Sequence, residues 1–157
     1  VPCYHLDTCY LISYLDNDPK SVEDKDFNRK ARSTINRLLA QKSEVEISEI
    51  AVGEFLGVAI RDGYDDSMVM DFYHHLQQKH FKIRHVEDAE LFSQLALEIR
   101  RADAWIESND VLIIAHSMAT ANCSNLLTFD TNLIQSQGVT RIKNQHKPSF
   151  VIADDTR

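Results

Sequence analysis

The stretch NLLTFDTNL, Asn125 to Leu133, climbs through Leu126, Leu127 and Phe129, stops at Asp130 and continues with Thr131. A short apolar run that halts at an acid reads as a buried strand, with Asp130 capping the short helix that follows. Near the start of the chain YHLDTCYLI repeats the pattern: Leu6, then Asp7, then Thr8. Two buried strands that each hand over to a helix at Asp-Thr suggest regular strand–helix alternation.

The segments between agree. Cys3 to Leu6 is a strand, and a helix from Thr8 to Leu15 is broken by DNDP. Ser21 to Gln41 reads as a long helix, with Phe27, Ala31, Ile35 and Leu38 at helical spacing. EVEIS alternates Val45 and Ile47 as a strand, and Ser48 caps a helix running to about Arg61. DDSMVMDFYHHLQQKH is a further helix with Met68, Val69, Phe72 and Leu76 on one face. FKIRHVE is a strand or an extended link. Ala89, Phe92, Leu95, Ala96, Ile99 and Ala102 mark an amphipathic helix, and SNDVLIIAHSMATAN a nearly all-apolar one entered through Ser108 or Asn109. TNLIQSQG is a short helix ended by Gly138, and SFVIA a last strand. The alternation predicts an α/β fold, a three-layer α/β/α sandwich with a mainly parallel sheet, in a single domain over residues 1–157. Such sheets bind ligands beyond the carboxyl ends of their strands, where Asp7 and Asp130 both stand.

Composition narrows the classes. The chain has 157 residues, is 43% hydrophobic and holds only four Gly and three Pro, which excludes a disordered or fibrous protein. No run of ~18 apolar residues is present to span a membrane. No basic segment leads into an apolar one at the start, so a cytoplasmic location is expected. Cys3, Cys9 and Cys123 are odd in number and lack C-x-x-C spacing, which argues against a disulfide framework or a structural zinc site. The net charge of −7 is unlike that of a typical nucleic-acid binder. Basic residues do concentrate at Lys20, Lys25, Arg29, Lys30, Arg32, Arg37 and Lys42, a run read as a solvated helix face.

The acids carry the chemistry. Helix capping accounts for Asp7, Asp110 and Asp130 taken singly, because each stands where a helix starts. Glu54 resists that account. It lies mid-helix, about 40° round from both Ile50 and Val58, among apolar neighbours. A carboxylate there calls for a salt bridge, a proton or a metal. Four acids from four segments meeting at one sheet edge would repel, and a divalent cation removes that cost. Oxygen-only ligands favour Mg²⁺ or Mn²⁺, which serve phosphodiester hydrolysis.

The order and spacing of HLDTCYLISYLD, SEIAVGEFLG and SNDVLIIAHSMATANCSNLLTFDTNL resemble a PIN domain, the metal-dependent ribonuclease fold of many VapC-like prokaryotic toxins. Carried across, Asp7, Glu54, Asp110 and Asp130 match the family's catalytic and metal-binding acids. Thr8 matches the Ser/Thr beside the first acid, and Thr128 the Thr before the last. The resemblance implies one or two Mg²⁺ or Mn²⁺, an RNA substrate, a separate antitoxin protein as partner, and often a homodimer. Three features depart from the pattern: Asn132 stands where many relatives carry another acid, residues 63 to 104 are longer than a minimal member needs, and the overall charge is acidic.

Other residues read more plainly. His74 and His75 are surface residues, His116 a satisfied core histidine, and Ser117 a packing or pocket residue on the Asp110 face. Cys9 and Cys123 are small buried residues, Trp105 a core anchor, and Asn109 a helix cap. Competing functions are a non-catalytic nucleic-acid or protein binding module on the same scaffold and an Asp7-nucleophile phosphatase. The phosphatase reading lacks its second acid, since position 9 is Cys9.

Overall fold

The computed structural model describes residues 1–78 and 81–156. Five strands, β1 (Cys3–Leu6), β2 (Glu44–Ser48), β3 (Lys82–Arg84), β4 (Cys123–Leu127) and β5 (Val151–Ala153), pair in the order β3-β2-β1-β4-β5. Every pairing is parallel. The chain builds β2 and β3 on one side of β1, then crosses to build β4 and β5 on the other. The topological switch point therefore falls between β1 and β4, the strands of the two Asp-Thr turns.

Helices flank the sheet: α1 (Thr8–Leu15), α2 (Val22–Ala40), α3 (Glu49–Arg61), α4 (Asp66–Gln78), α5 (Ala89–Ala102), α6 (Ser108–Ala119), α7 (Thr131–Gln135) and α8 (Gln137–His146). Local signals set most of their starts. Ser21 Oγ accepts from the Asp24 N–H and Ser48 Oγ from the Ile50 N–H, the capping bonds that Ser supplies. The periodic residues of α2 expected inside include Ala31, Ile35 and Leu38, all buried. In α4, Val69 and Leu76 are buried as expected. The side chains of Met68 and Phe72, and residues 79 and 80, lie outside the described residues. The run FKIRHVE resolves into a strand over Lys82–Arg84, registered on β2. No helix of the described residues is long and apolar enough to cross a membrane.

The basic run of α2 works inside the molecule. Lys30 and Arg37 pair with Asp154 and Asp155 at 2.7 Å each, and Arg32 donates to the carbonyls of Tyr14 and Asp16. These contacts tie the segment after β5 and the end of α1 to α2.

The structure corrects three expectations. Gly138 does not end a helix. Helix α7 stops at Ser136, whose hydroxyl oxygen then accepts from the Val139 N–H and restarts the chain as α8. Val139 and Ile142 are the buried residues of this second helix. Gly138 is there because α8 presses on the end of α5: a Cβ would lie 2.9 Å from the Ala102 carbonyl oxygen and 3.0 Å from its carbonyl carbon. Gly138→Ala is therefore expected to destabilise the fold by about 1–2 kcal/mol, although alanine is the better helix former by about 1 kcal/mol. The urea midpoint checks this, and a rise would show that the contact relaxes freely. Helix α6 is capped neither by Ser108 nor by Asn109. Its cap is Glu107, which makes no side-chain capping bond. Trp105 is not a core anchor but 97% exposed, because Ile106 takes the buried position in that turn while Arg100 binds the carbonyls of Ala104 and Ile106.

Candidate metal centre

Strand pairing brings the two Asp-Thr turns together. The Asp7 N–H donates to the Leu127 carbonyl at 2.9 Å, which joins the ends of β1 and β4. Phe129, stacked between Tyr10 and Phe27 at centroid distances of 4.3 and 4.5 Å, holds the chain between β4 and Asp130.

Asp7 is 3% exposed and fully engaged. Its Oδ1 accepts from the Thr8 N–H at 2.8 Å. Its Oδ2 accepts from the Thr128 hydroxyl at 2.7 Å and the Cys9 thiol at 3.3 Å. Burial pushes the Asp7 carboxyl up. The three donors pull it back, the charge of Asp130 adds to burial, and the net direction is upward. Thr128 also accepts from the Asp130 N–H at 3.1 Å, so one buried hydroxyl orients both strand-end acids. Asp130 Oδ1 accepts from the Asn132 N–H at 2.9 Å. Both aspartates are thus helix caps as well as members of the acidic cluster.

Asp110, in the first turn of α6, and Glu54, on α3, are half-buried. Asp110 is pushed up to about 7, first by burial and then by the charges of Asp7, Glu54, Glu107 and Asp130. The four expected acids therefore share one electrostatic environment. Among the described residues, no three of them bring carboxylate oxygens all within 4.8 Å of one another.

Two contributors escaped the sequence reading. Glu107 adds to the acidic field as the residue before α6, and its spacing of three from Asp110 was the available signal. Cys9, read as a small buried residue, is half-buried and hydrogen-bonded. Its thiol bonds Asp7 and lies 3.5 Å from the Thr128 hydroxyl oxygen, while burial pushes it up to about 12 and keeps it a donor. The second Thr of the pattern, Thr8, is 2% exposed, and its hydroxyl is buried without a hydrogen-bond partner. His116 is a buried core residue as expected, bonded to Ser48 Oγ and the His85 carbonyl. Ser117 is buried against His5 and does not line the acidic cluster. Asn109 sits within α6, and His74 and His75 are exposed.

The raised Asp110 has a consequence for the metal-free protein. An acid whose folded-state value exceeds its unfolded value of about 4 favours folding at low pH, and that contribution is lost as pH rises towards about 7. Asp110→Asn removes the repulsion. It is expected to stabilise the chelator-treated protein at pH 8 by roughly 1–2 kcal/mol, a figure discounted for the solvent around this half-buried group, with little effect near pH 4. Urea unfolding in EDTA at the two pH values checks this, and equal shifts at both would refute the electrostatic account.

The fold and the cluster together define an α/β protein with acids gathered at the switch point of a parallel sheet. A family model described as the PIN domain matches residues 4–137, and the chain belongs to the PIN domain family. Its structure is similar to that of VapBC2 from Rickettsia felis, determined bound to a DNA fragment from their promoter, with a TM-score of 0.62 and 18% identity over 96% of each chain. It is also similar to FitAcB from Neisseria gonorrhoeae, with a TM-score of 0.61 and 16% identity over 96% of each chain. At these identities the likeness is one of fold. Comparison with curated protein sequences found no match.

Proposed function

We propose that this PIN-domain chain is a Mg²⁺- or Mn²⁺-dependent endoribonuclease, the toxin of a toxin–antitoxin pair. The observation that carries the reading is the Thr128 hydroxyl, which ties Asp7 to the backbone of Asp130 at the switch point of the sheet, with Glu54 and Asp110 close enough for the charges to act on one another. Such an arrangement is unfavourable without a cation and favourable with one.

The donor set fits a hard divalent ion. Asp7, Glu54, Asp110 and Asp130 offer oxygen alone, and the Thr8 hydroxyl is a buried oxygen left without a partner. Asp7, Asp110 and Asp130, with Glu54, would hold the ion. When bound, it supplies Lewis acidity to a phosphodiester and makes water a stronger nucleophile at neutral pH. The chain's own residues do the positioning. Thr128, the Thr8 N–H and the Cys9 thiol fix the Asp7 carboxylate, and Thr128 holds the backbone of Asp130 beside it. Asp110, raised to about 7 chiefly by burial, would be drawn to its ionised form by a bound cation.

The test is cleavage of RNA by the purified chain with Mn²⁺, stopped by EDTA and restored by added metal. Cleavage that survives the chelator refutes the mechanism. The likeness to VapBC2 and FitAcB supports a protein partner. A small protein encoded beside this one is expected to bind the chain and suppress cleavage, and a genomic neighbourhood without one weakens the toxin reading.

A further inference from the structure

The body of the sheet, beneath the strand ends that carry Asp7 and Asp130, holds a second set of metal-ligating side chains. Cys3 and His5 are two residues apart on β1 and share one face of the sheet. The register between β1 and β4 shifts between Cys3 and Tyr4, and this bulge sets Cys123 opposite Cys3. Bulges of this kind re-aim side chains. As a result the two sulfurs and a ring nitrogen of His5 all lie within 4.8 Å of one another, and the three residues are buried.

A buried carboxylate lies beside His5 and Cys3, outside the 4.8 Å group that includes Cys123. Glu46 is registered with His5 on β2 and is buried. Its Oε2 lies 3.2 Å from His5 Nε2 and 2.9 Å from Arg84 Nε, but its Oε1 is buried with no hydrogen-bond partner. Cys3 and Glu46 also share a 4.8 Å group with Glu44, which is half-buried.

Packing explains a buried cysteine, which behaves as a small hydrophobe. It does not explain two of them against a buried imidazole and a buried carboxylate with a vacant oxygen. Leaving such an oxygen unpaired away from water is unfavourable. Two sulfurs, one imidazole and one carboxylate are the donors that suit Zn²⁺, and the oxygen-only cluster at the strand ends is not of that kind.

We propose that Cys3, His5 and Cys123, with Glu46 as fourth ligand, form a buried Zn²⁺ site separate from the acidic cluster. Binding releases one proton from each thiol and involves no change of oxidation state. Two thiolates and a carboxylate against the dication leave one negative charge, which the Arg84 guanidinium offsets. The ion would join β1, β2 and β4 beneath the strand ends that carry Asp7 and Asp130. The proposal is independent of the nuclease reading.

Cobalt replaces zinc in such sites and reports thiolate ligation through a sulfur-to-cobalt absorption band. Reduced, metal-free protein, with excess Mg²⁺ present to occupy the acidic cluster, is titrated with Co²⁺. The expected result is a charge-transfer band that saturates at a single equivalent and is bleached by Zn²⁺. The band persists in Cys9→Ser and in Asp110→Asn. In Cys123→Ser it is lost, and cobalt affinity falls on the order of 100-fold or more. Absence of the band in folded wild-type protein overturns the proposal, whatever the variants do. So does a band that vanishes in Cys9→Ser. A Cys3–Cys123 bond found by peptide mapping, with no band after reduction, would assign the pair to redox chemistry instead.

Discussion

Asp7→Asn is expected to lower Mn²⁺-dependent RNA cleavage on the order of 10³-fold while leaving the chain folded. A metal ion acting as a Lewis acid contributes several kcal/mol to transition-state stabilisation, and each 1.36 kcal/mol is a factor of ten in rate. Asp7 is the acid most completely positioned for that task, with three donors on its two oxygens. An amide in its place keeps an acceptor for the Thr8 N–H. It loses the charge and sets an NH₂ group against the Thr128 hydroxyl and the Cys9 thiol. Because burial already disfavours the Asp7 charge, its removal offsets part of the cost of losing the Thr128 and Cys9 bonds, and Mn²⁺ should raise the variant's melting temperature less than that of wild type. Thr128→Val, which removes one of these three orienting donors but no acid of the cluster, should cost roughly 10–100-fold. Cleavage rates alongside Mn²⁺-dependent melting separate these cases. An Asp7→Asn protein with near-normal cleavage would remove Asp7 from the chemistry.

Arg84→Ala is expected to destabilise the protein by about 3 kcal/mol, the lower end of the range for breaking a buried ion pair. The lower end applies because Arg84 is partly solvated, its side chain 19% exposed, whereas Glu46 is fully buried. Burial alone would raise the Glu46 carboxyl. His5, Cys3 and Arg84 outweigh it and hold it at about 2. At roughly 2–4 °C per kcal/mol for a chain of this length, the melting temperature should fall by about 10 °C. The sign of the pH dependence follows from the depressed value. The contribution is present above the ordinary 4.5 and is lost as pH falls towards about 2, so the gap between wild type and variant should close in acid. Thermal melts at pH 7 and pH 3 check both statements. A gap that stays constant would point to lost packing rather than lost charge.

Much of this was legible in the residues. The turns at Asp7-Thr8 and Asp130-Thr131 announce buried strands feeding helices; β1 and α1 lie where they were read, α7 starts at Thr131 as read, and β4 runs two residues earlier than the stretch read for it, over Cys123–Leu127. Ser48 gave the start of α3 through capping, which acts within three residues. Asp7 and Asp130 were legible as caps and are caps. Glu54 stood out because capping does not explain a mid-helix acid.

What escaped was governed by contacts between distant segments. Gly138 reads as a helix stop by local rules and is instead a clearance for Ala102. Trp105 reads as core by its chemistry, but Ile106 fills that space. Cys9 reads as a small buried residue until Asp7 and Thr128 are placed beside it.

The sequence by itself determined the kinds of element and most of their ends. Hydrophobic period and capping are short-range effects, carried by neighbours along the chain. Only the tertiary structure decided the strand order, with its switch between β1 and β4, and so the meeting of Asp7, Thr128 and Asp130. It alone raised Asp110, because burial and the fields of other acids act through space. It alone brought Cys3, His5 and Cys123 together, from opposite ends of the chain and without any metal-binding spacing. Parallel pairing across a bulge sets that contact, and no local pattern encodes it.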